Sequence, residues 1–330
     1  MDHNPSLRLT ADEARFVNES AAAVRRIAVA IVSYNTRELL RQCLASLVAQ
    51  SDEVIVFDNA STDGTLEMLR ANYPQVTLLA SDHNVGYGAA ANRMLAACWS
   101  DYVLLLNSDT LLQPSALRAL QTYLDEHPHV AVVGPRLANV DGSVQVSCFP
   151  FPLPLFALLR ATFLGSLVGR VPGLRDCYLP AWPHNQERAV PWVVGAALAI
   201  RRPAFNAVGG FDESFFMYSE EVDLCYRLRA AGWRTVFAPV TSVTHLGGAS
   251  ANQQRISMEE QKYASTAHFY RAHYASWQRG LLNLIVSYEM ARNMLRDNWR
   301  LRRVAQSAQR QRLIADLALW KRILRRQWEW

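Results

Sequence analysis

The sequence predicts an α/β fold: a mostly parallel sheet flanked by helices on both faces, followed by a C-terminal α-helical extension. Three observations carry this. Short apolar runs rich in β-branched residues recur through the first 200 residues without the alternation of a half-exposed strand, so each reads as a strand buried on both sides. A polar loop and a helical pattern follow most of them, and strands separated by helices pair in parallel. From about residue 255 the strand pattern stops and the chain reads as helix alone.

Taken in order, residues 1–26 carry mixed charge and read as a loose N-terminal arm. The run IAVAIVS at 27–33 is the first strand, and Leu39, Leu40, Cys43, Leu44 and Leu47 mark the helix after it. EVIVFD at 53–58, VTLLA at 76–80 and DYVLLLN at 101–107 repeat the unit, the last before a helix opened by Gln113, Pro114 and Ser115. VAVVGP at 130–135 is a further strand. A Pro-rich, apolar excursion over about 148–183 reads as a lid or an interface, and order returns with PWVVGAALAIRR at 191–202. A helix over 203–208, the Gly209-Gly210 turn and an amphipathic helix near 219–231 come next. The tail predicts two long helices, 255–275 and 279–326, separated near Ser276 and Gly280. The domain reading is therefore an arm (1–26), an α/β domain (27–254) and a helical, basic and aromatic extension (255–330).

Charge sharpens that division. Of 34 basic and 29 acidic residues, twelve basic and four acidic lie in 279–330, which gives the tail +8. The first 278 residues hold 22 basic and 25 acidic residues, or −3. Only Lys262 and Lys321 are lysines; the rest are arginines, interleaved in the tail with Trp299, Trp320, Trp328 and Trp330. Arginine next to tryptophan suits an anionic surface with apolar depth. The same helices also suit packing on the α/β domain or on a second copy, with arginine facing solvent. No nucleic-acid recognition motif accompanies the charge, so nucleic acid is not an expected partner. Five scattered cysteines without a C-x-x-C pair predict neither a disulfide framework nor a zinc site. No signal peptide and no 18-residue apolar span is apparent. A cytoplasmic protein, peripheral to the inner face of the cell membrane, is the expectation.

In open parallel sheets ligands bind beyond the carboxyl ends of the strands. Those ends are polar here: Ser33, Tyr34 and Asn35; Asp58, Asn59, Ser61 and Asp63; Asp82, Asn84 and Gly86; Asn107, Ser108 and Asp109. Any one loop is a plausible turn or helix cap. Four at one edge point to a ligand. Asp109 would bring one carboxylate to the sheet edge, and a hard cation bridging a diphosphate takes one or two, leaving other positions to phosphate and water. No Walker A sequence or G-x-G-x-x-G loop is present. Glu220, Glu221 and Asp223 open the helix near 219–231. Asp223 pairs with Arg227 at i,i+4, whereas one of the two glutamates can serve as a general base. His245 follows a strand-like stretch and reads either as a structural histidine or as a metal ligand.

The strings AIVSYNTRELLRQCLASL (30–47), VFDNASTDGT (56–65), NVGYGAAAN (84–92), LLLNSDT (104–110), GFDESFFMYSEEVDLCYRLRAAGW (210–233) and THLGGAS (244–250) together resemble the bacterial family-2 glycosyltransferases of the GT-A fold. They look most like the rhamnosyltransferase-type members, over roughly residues 27–275. The resemblance implies that Ser33, Tyr34 and Asp58 hold the base and ribose of a nucleotide-sugar, and that Asn84, Gly86 and Asn92 frame it. It implies that Asp109, with His245, binds Mg²⁺ or Mn²⁺ on the diphosphate. Asn107 stands where the family has the first Asp of its D-x-D, and Glu221 where it has the catalytic Asp, with Glu220 a competitor for that role. The implied reaction is inverting, metal-dependent transfer of a single sugar to a lipid-linked or polysaccharide hydroxyl. The leading donor is dTDP-L-rhamnose, ahead of a UDP-hexose or UDP-galactofuranose. No Q-x-x-R-W segment follows the acidic helix, which favours single addition over chain extension. The rival class is a non-catalytic nucleotide-sugar-binding or scaffold protein of the same fold, and a homo-oligomer is compatible with either.

Overall fold

The computed structural model describes residues 26–162, 179, 182–247, 255–304 and 306–329. The expected N-terminal arm up to residue 25, most of the Pro-rich excursion beyond residue 162, and Gly248 to Ser250 lie outside the described residues.

The strand–helix units form as their patterns dictate. They are β1 (Ile27–Ser33) and α1 (Arg37–Leu47), β2 (Val54–Asn59) and α2 (Thr65–Asn72), and β3 (Thr77–Ser81) and α3 (Tyr87–Ala97). Then come β4 (Tyr102–Asn107), the short β5 (Thr110–Leu112), α4 (Ala116–Glu126) and β6 (Val130–Ala138). The second half holds β7 (Val144–Gln145), β8 (Cys148–Phe149), α5 (Pro154–Ala161), β9 (Arg188–Ala189), β10 (Trp192–Val193), β11 (Ala197–Arg201) and α6 (Arg202–Ala207). It closes with α7 (Glu220–Ala230), β12 (Arg234–His245), α8 (Arg255–His273), α9 (Ser276–Leu301) and α10 (Ser307–Arg326).

The main sheet runs β3-β2-β1-β4-β11-β6-β12-β5, with β7 on β6 and β9 on β12. Period-two alternation splits its side chains between two cores. Ile27, Val29 and Ile31 of β1 and Leu104 and Leu106 of β4 face α1 and α4, whereas Ala28, Ala30, Val103 and Leu105 face α3, α6 and α7. Both faces of β1, β2 and β4 are covered, which is why they read as unbroken apolar runs, whereas β3, expected to be buried on both sides, lies at the sheet edge and is partly exposed throughout.

β1 to β4 are parallel, but β11 is antiparallel to both β4 and β6. A buried apolar run carries no mark of its direction, so the pattern at 191–202 gave a strand and no orientation. The consequence is local: reversal brings the start of β11 to the carboxyl edge of β4, where the Asn107 amide donates to the Ala196 carbonyl at 3.0 Å.

The tail departs from the expected pair of helices. Gly280 lies inside α9, and the single helix expected over 279–326 is two, broken after Leu301. No proline or glycine marks the break. Trp320 Nε1 donates to Asp297 at 2.9 Å and Gln327 Nε2 to Ser287 at 2.7 Å, so α9 and α10 fold back on each other. Leu282, Val286 and Met290 of α9 thereby bury against Leu319 and Ile323 of α10 and Phe269 and Tyr270 of α8. A continuous helix would leave that stripe in water.

Helix α7 joins these layers. Its Leu224 and Leu228 enter the sheet core, and its Val222 and Cys225 enter the core of the C-terminal helices. The expected i,i+4 pair is present: Arg227 Nε donates to the buried Asp223 at 2.7 Å, and Arg227 also reaches the Val208 and Gly210 carbonyls.

Candidate functional site

Strand register builds one wall. Ser33 pairs with Asp58, Val32 with Asn107 and Asn59 with Ser81, so the polar ends of four strands lie level at one edge. Their loops interlock: the Asn35 amide donates to Ser61 Oγ at 2.9 Å, Thr62 donates to Asn35 Oδ1 at 2.8 Å, and the Arg37 amide to Asp63 at 2.8 Å. Beyond this edge lies a cavity of about 340 Å³, within the usual range for small-ligand sites of roughly 300–1,000 Å³.

Of the residues singled out from the sequence, Tyr34, Asn84, Asn107, Asp109, Glu220, Glu221 and His245 line this cavity. Ser33, Asp58, Gly86 and Asn92 do not. Ser33 is buried and shares a hydrogen bond with Thr36. Asp58 is fully buried behind the edge; one carboxylate oxygen accepts the Ser61 amide, and among the described residues the other has no partner. Gly86 has φ +86°, and a Cβ there would collide with the Phe216 carbonyl, so only glycine closes this loop onto the segment before α7. Asn92 pins that same segment from α3, exchanging hydrogen bonds with the Phe211 amide and carbonyl at 2.9 and 3.0 Å.

Asp109 and His245 meet through antiparallel pairing of β12 with β5, in which His245 opposes Thr110. His245 Nε2 lies 3.3 Å from Asp109 Oδ1. Its Nδ1 is 2.8 Å from Gln145 Oε1, and Gln145 Nε2 donates to Asn139 at 3.4 Å, which fixes the amide's orientation. The Nδ1 proton therefore goes to Gln145, and Nε2 faces the carboxylate. A lone pair and a carboxylate so arranged want a cation between them. Among the described residues no cluster of three or more metal-ligating His, Cys, Asp or Glu side chains exists. A cation placed here would take these two side chains and leave the remaining positions to ligand oxygens and water, the pattern expected of a hard divalent ion on a diphosphate.

The opposite wall is helix-borne. Glu220 and Glu221 begin α7, after Tyr218 and Ser219 at φ +67° and +69°. Two successive left-handed residues that are not glycine store roughly 1–3 kcal/mol each. Contacts from α8 hold them: Ser265 Oγ donates to the Met217 carbonyl at 2.8 Å, and Ser214 Oγ lies 2.7 Å from His268 Nε2. His273 Nε2 reaches Asp223 at 2.7 Å, tying α8 to α7 itself.

Burial, then the neighbouring Glu221 charge, raises the Glu220 carboxyl well above its ordinary value. Burial also raises Glu221, to about 7; its own amide and those of Gly195, Val222 and Ser219 pull the other way. One oxygen of each has no hydrogen-bond partner among the described residues. Tyr87 and Tyr218 line the cavity beside them, and burial, then the glutamate charges, keeps the Tyr87 phenol protonated.

Asn59 and Ser108, two of the polar strand-end residues, also line the cavity. Asn59 orders the Asn84–Gly86 loop by donating to Asn84 Oδ1 at 2.9 Å and accepting the Val85 amide at 2.8 Å. Other cavity residues carry no signal of their own in the sequence. Gly195 arrives through the reversed β11 and Met258 through α8. Tyr218, one residue removed from the two glutamates, is the one that the run FFMYSEE marks.

A glycosyltransferase-like family 2 model matches residues 25–264. The N-acetylglucosaminyl-diphospho-decaprenol L-rhamnosyltransferase of Mycobacterium tuberculosis H37Rv is 33% identical over 281 residues, covering 77% of this chain and 87% of that protein. A rhamnosyltransferase of Escherichia coli K12 is 23% identical over 228 residues, 66% and 82% of the two chains. Among solved structures, the Pyrobaculum calidifontis mannosyltransferase in complex with GDP-Man and Mn²⁺ shares the fold, with a TM-score of 0.55 at 18% identity over 92% of this chain and 87% of that one.

Proposed function

The chain belongs to glycosyltransferase family 2 and is a sugar-transferring enzyme, and on that premise we propose that it is an inverting rhamnosyltransferase using dTDP-L-rhamnose and a lipid-linked acceptor hydroxyl. The observation that carries the reading is the two-walled cavity: an Asp109–His245 pair on the sheet edge and, opposite, a glutamate whose pKa is raised to about 7. The donor and acceptor classes follow the rhamnosyltransferase relatives, one of whose names specifies a diphospho-decaprenol acceptor.

Asp109 and His245 would hold Mg²⁺ or Mn²⁺, with Asn107 beside them. When bound, the cation would neutralise charge on the departing diphosphate. Tyr34 meets the nucleoside at the cavity wall, with the buried Ser33 and Asp58 behind it. Asn84 and the Gly86 turn frame the donor, and Asn92 fixes the segment that carries the acids. Glu221 takes the proton from the acceptor hydroxyl, whose oxygen attacks the anomeric carbon from the side opposite the nucleoside diphosphate. The bond to the diphosphate breaks as the new glycosidic bond forms, and configuration inverts. Burial raises the carboxyl of Glu220, the neighbour of Glu221, as well, which favours the uncharged form there.

Release of nucleoside diphosphate from a panel of dTDP-L-rhamnose, UDP-hexoses and UDP-galactofuranose tests this reading, with Mn²⁺ or Mg²⁺ and after chelation. Turnover of dTDP-L-rhamnose above the others, lost on chelation and restored by metal, is expected. Preference for a UDP-sugar overturns the donor, and indifference to chelation overturns the metal.

A further inference from the structure

Helix α9 is apolar on two sides. Its inner side is the core described above, built on Leu282, Val286 and Met290. Its outer side carries Trp277, Leu281, Leu284, Tyr288, Leu295 and Trp299, all exposed and Leu295 as much as 74%. At about 100° per residue these six positions fall within roughly 60° of one another, so they form one narrow stripe. From Trp277 to Trp299 it runs about 33 Å along the helix. Nothing among the described residues covers it. Beside it stands α5, tied to α9 by Arg292, whose guanidinium donates to the Ala161 carbonyl, and Leu155 and Leu158 of α5 are exposed as well.

The charges along the stripe have one sign. Arg292, Arg296, Arg300 and Arg303 are exposed and fall along one margin towards its C-terminal half. The Arg303 guanidinium packs 3.6 Å from the Trp299 ring centroid. The two acids of α9, Glu289 and Asp297, are partly and fully buried, and Asp297 pairs from beneath with Arg296 at 2.9 Å, so the margin exposes arginine and no carboxylate.

From this arrangement we infer that the outer face of α9 lies in the plane of an anionic lipid surface. An in-plane helix buries a narrow apolar stripe at the boundary between headgroups and acyl chains, and arginines at its margin meet lipid phosphates while their stems stay on apolar surface. Tryptophans at both ends of the stripe fit the same boundary, where an apolar ring with one polar N–H is favoured. No described helix is long and apolar enough to cross a membrane, so the contact lies along the surface. A second copy of the chain is the competing occupant. Helix–helix seams of that kind set opposite charges along their margins, and α9 exposes arginines without acids to receive them. The surface goes beyond the sugar-transfer reading and does not depend on it, because vesicle binding is measured without donor or acceptor. Its position is still apt, since α9 packs on α8, whose Met258 lines the cavity.

Flotation of the full chain with phosphatidylglycerol-rich and with phosphatidylcholine vesicles is the test, with light scattering to give the oligomeric state. The wild-type chain should float with the anionic vesicles and much less with the neutral ones, and salt should weaken the association. The double substitution Leu284→Glu and Leu295→Glu should reduce binding at least tenfold with an unchanged circular dichroism spectrum. The milder Leu284→Ser and Leu295→Ser should reduce it in the same direction if the charged pair disturbs folding. Arg300→Gln and Arg303→Gln should each cost about fivefold on anionic vesicles. Absence of flotation, flotation unaffected by the leucine substitutions, or a wild-type dimer that those substitutions split into monomers would overturn the assignment.

Discussion

The two walls of the cavity are held by different physics. The sheet-borne wall, with Asn59, Asn107, Asp109 and His245, is fixed by backbone register, and its side chains emerge wherever the strands end. The helix-borne wall, with Tyr218, Glu220 and Glu221, stands on two strained residues and is steadied by Ser265, His268 and His273 from a helix some fifty residues on. A register-built wall is stiff because displacing one residue means breaking a ladder. A wall built on side-chain links shifts with the helix that supplies them, so the acids of this protein depend on its C-terminal helices.

The largest expected effect sharpens the functional side of that contrast. Glu221→Gln should lower kcat by about 10²–10⁴-fold with donor affinity unchanged. In the unaltered protein the rate should rise with pH through about 7, as the carboxyl of Glu221 loses its proton. Stability should move the other way. Between its ordinary 4.5 and about 7 the folded chain keeps on Glu221 a proton that the unfolded chain has released. Unfolding free energy therefore falls as pH rises across this window, by on the order of 3 kcal/mol at most. Denaturant titrations at several pH values should show the slope in the parent and a shallower one in Glu221→Gln.

Next comes the sheet wall. Gln145→Ala removes the partner that orients His245, and isothermal titration should show Mn²⁺ affinity in the presence of nucleoside diphosphate falling about 10–100-fold. An unchanged affinity would mean that register alone positions the imidazole. For the helix wall, His273→Ala leaves an oxygen of the buried Asp223 unpaired and should cost about 1–3 kcal/mol by denaturant titration. It should also lower kcat more than donor affinity, which an effect on stability alone would not do. The smallest effect is expected of Glu220→Gln: burial favours the uncharged form of that carboxyl, which an amide resembles, so kcat should stay within about tenfold of the parent. A larger loss would exchange the roles of the two glutamates.

The same contrast explains what was legible beforehand. Doubly buried strands announce themselves as apolar runs, so the polar residues after them, from Ser33 to Asp109, mark the sheet edge before any coordinates are known. Asp223 and Arg227 were readable because helical spacing alone joins them. Gln145 was not, since it lies 100 residues from His245 and meets it only through β7 on β6. Ser265 and His273 are equally silent, being ordinary polar positions on a helix whose register against α7 no local pattern records. Asn92 is a different case. The family resemblance implied that it frames the donor, and in this structure its side chain bonds to the Phe211 backbone, a partner that no local pattern announces. The break after Leu301 was hidden because antiparallel packing of α9 and α10, not a helix breaker, creates it.

The stereochemistry of the product tests the central claim most directly. With dTDP-L-rhamnose and a polyprenyl-diphosphate-linked acceptor, NMR of the anomeric centre should show a new glycosidic bond of configuration opposite to the donor's. The same product should be absent, with donor binding intact, for Glu221→Gln. A product that keeps the donor's configuration, or near-normal formation of the inverted product by Glu221→Gln, would contradict direct displacement driven by this glutamate.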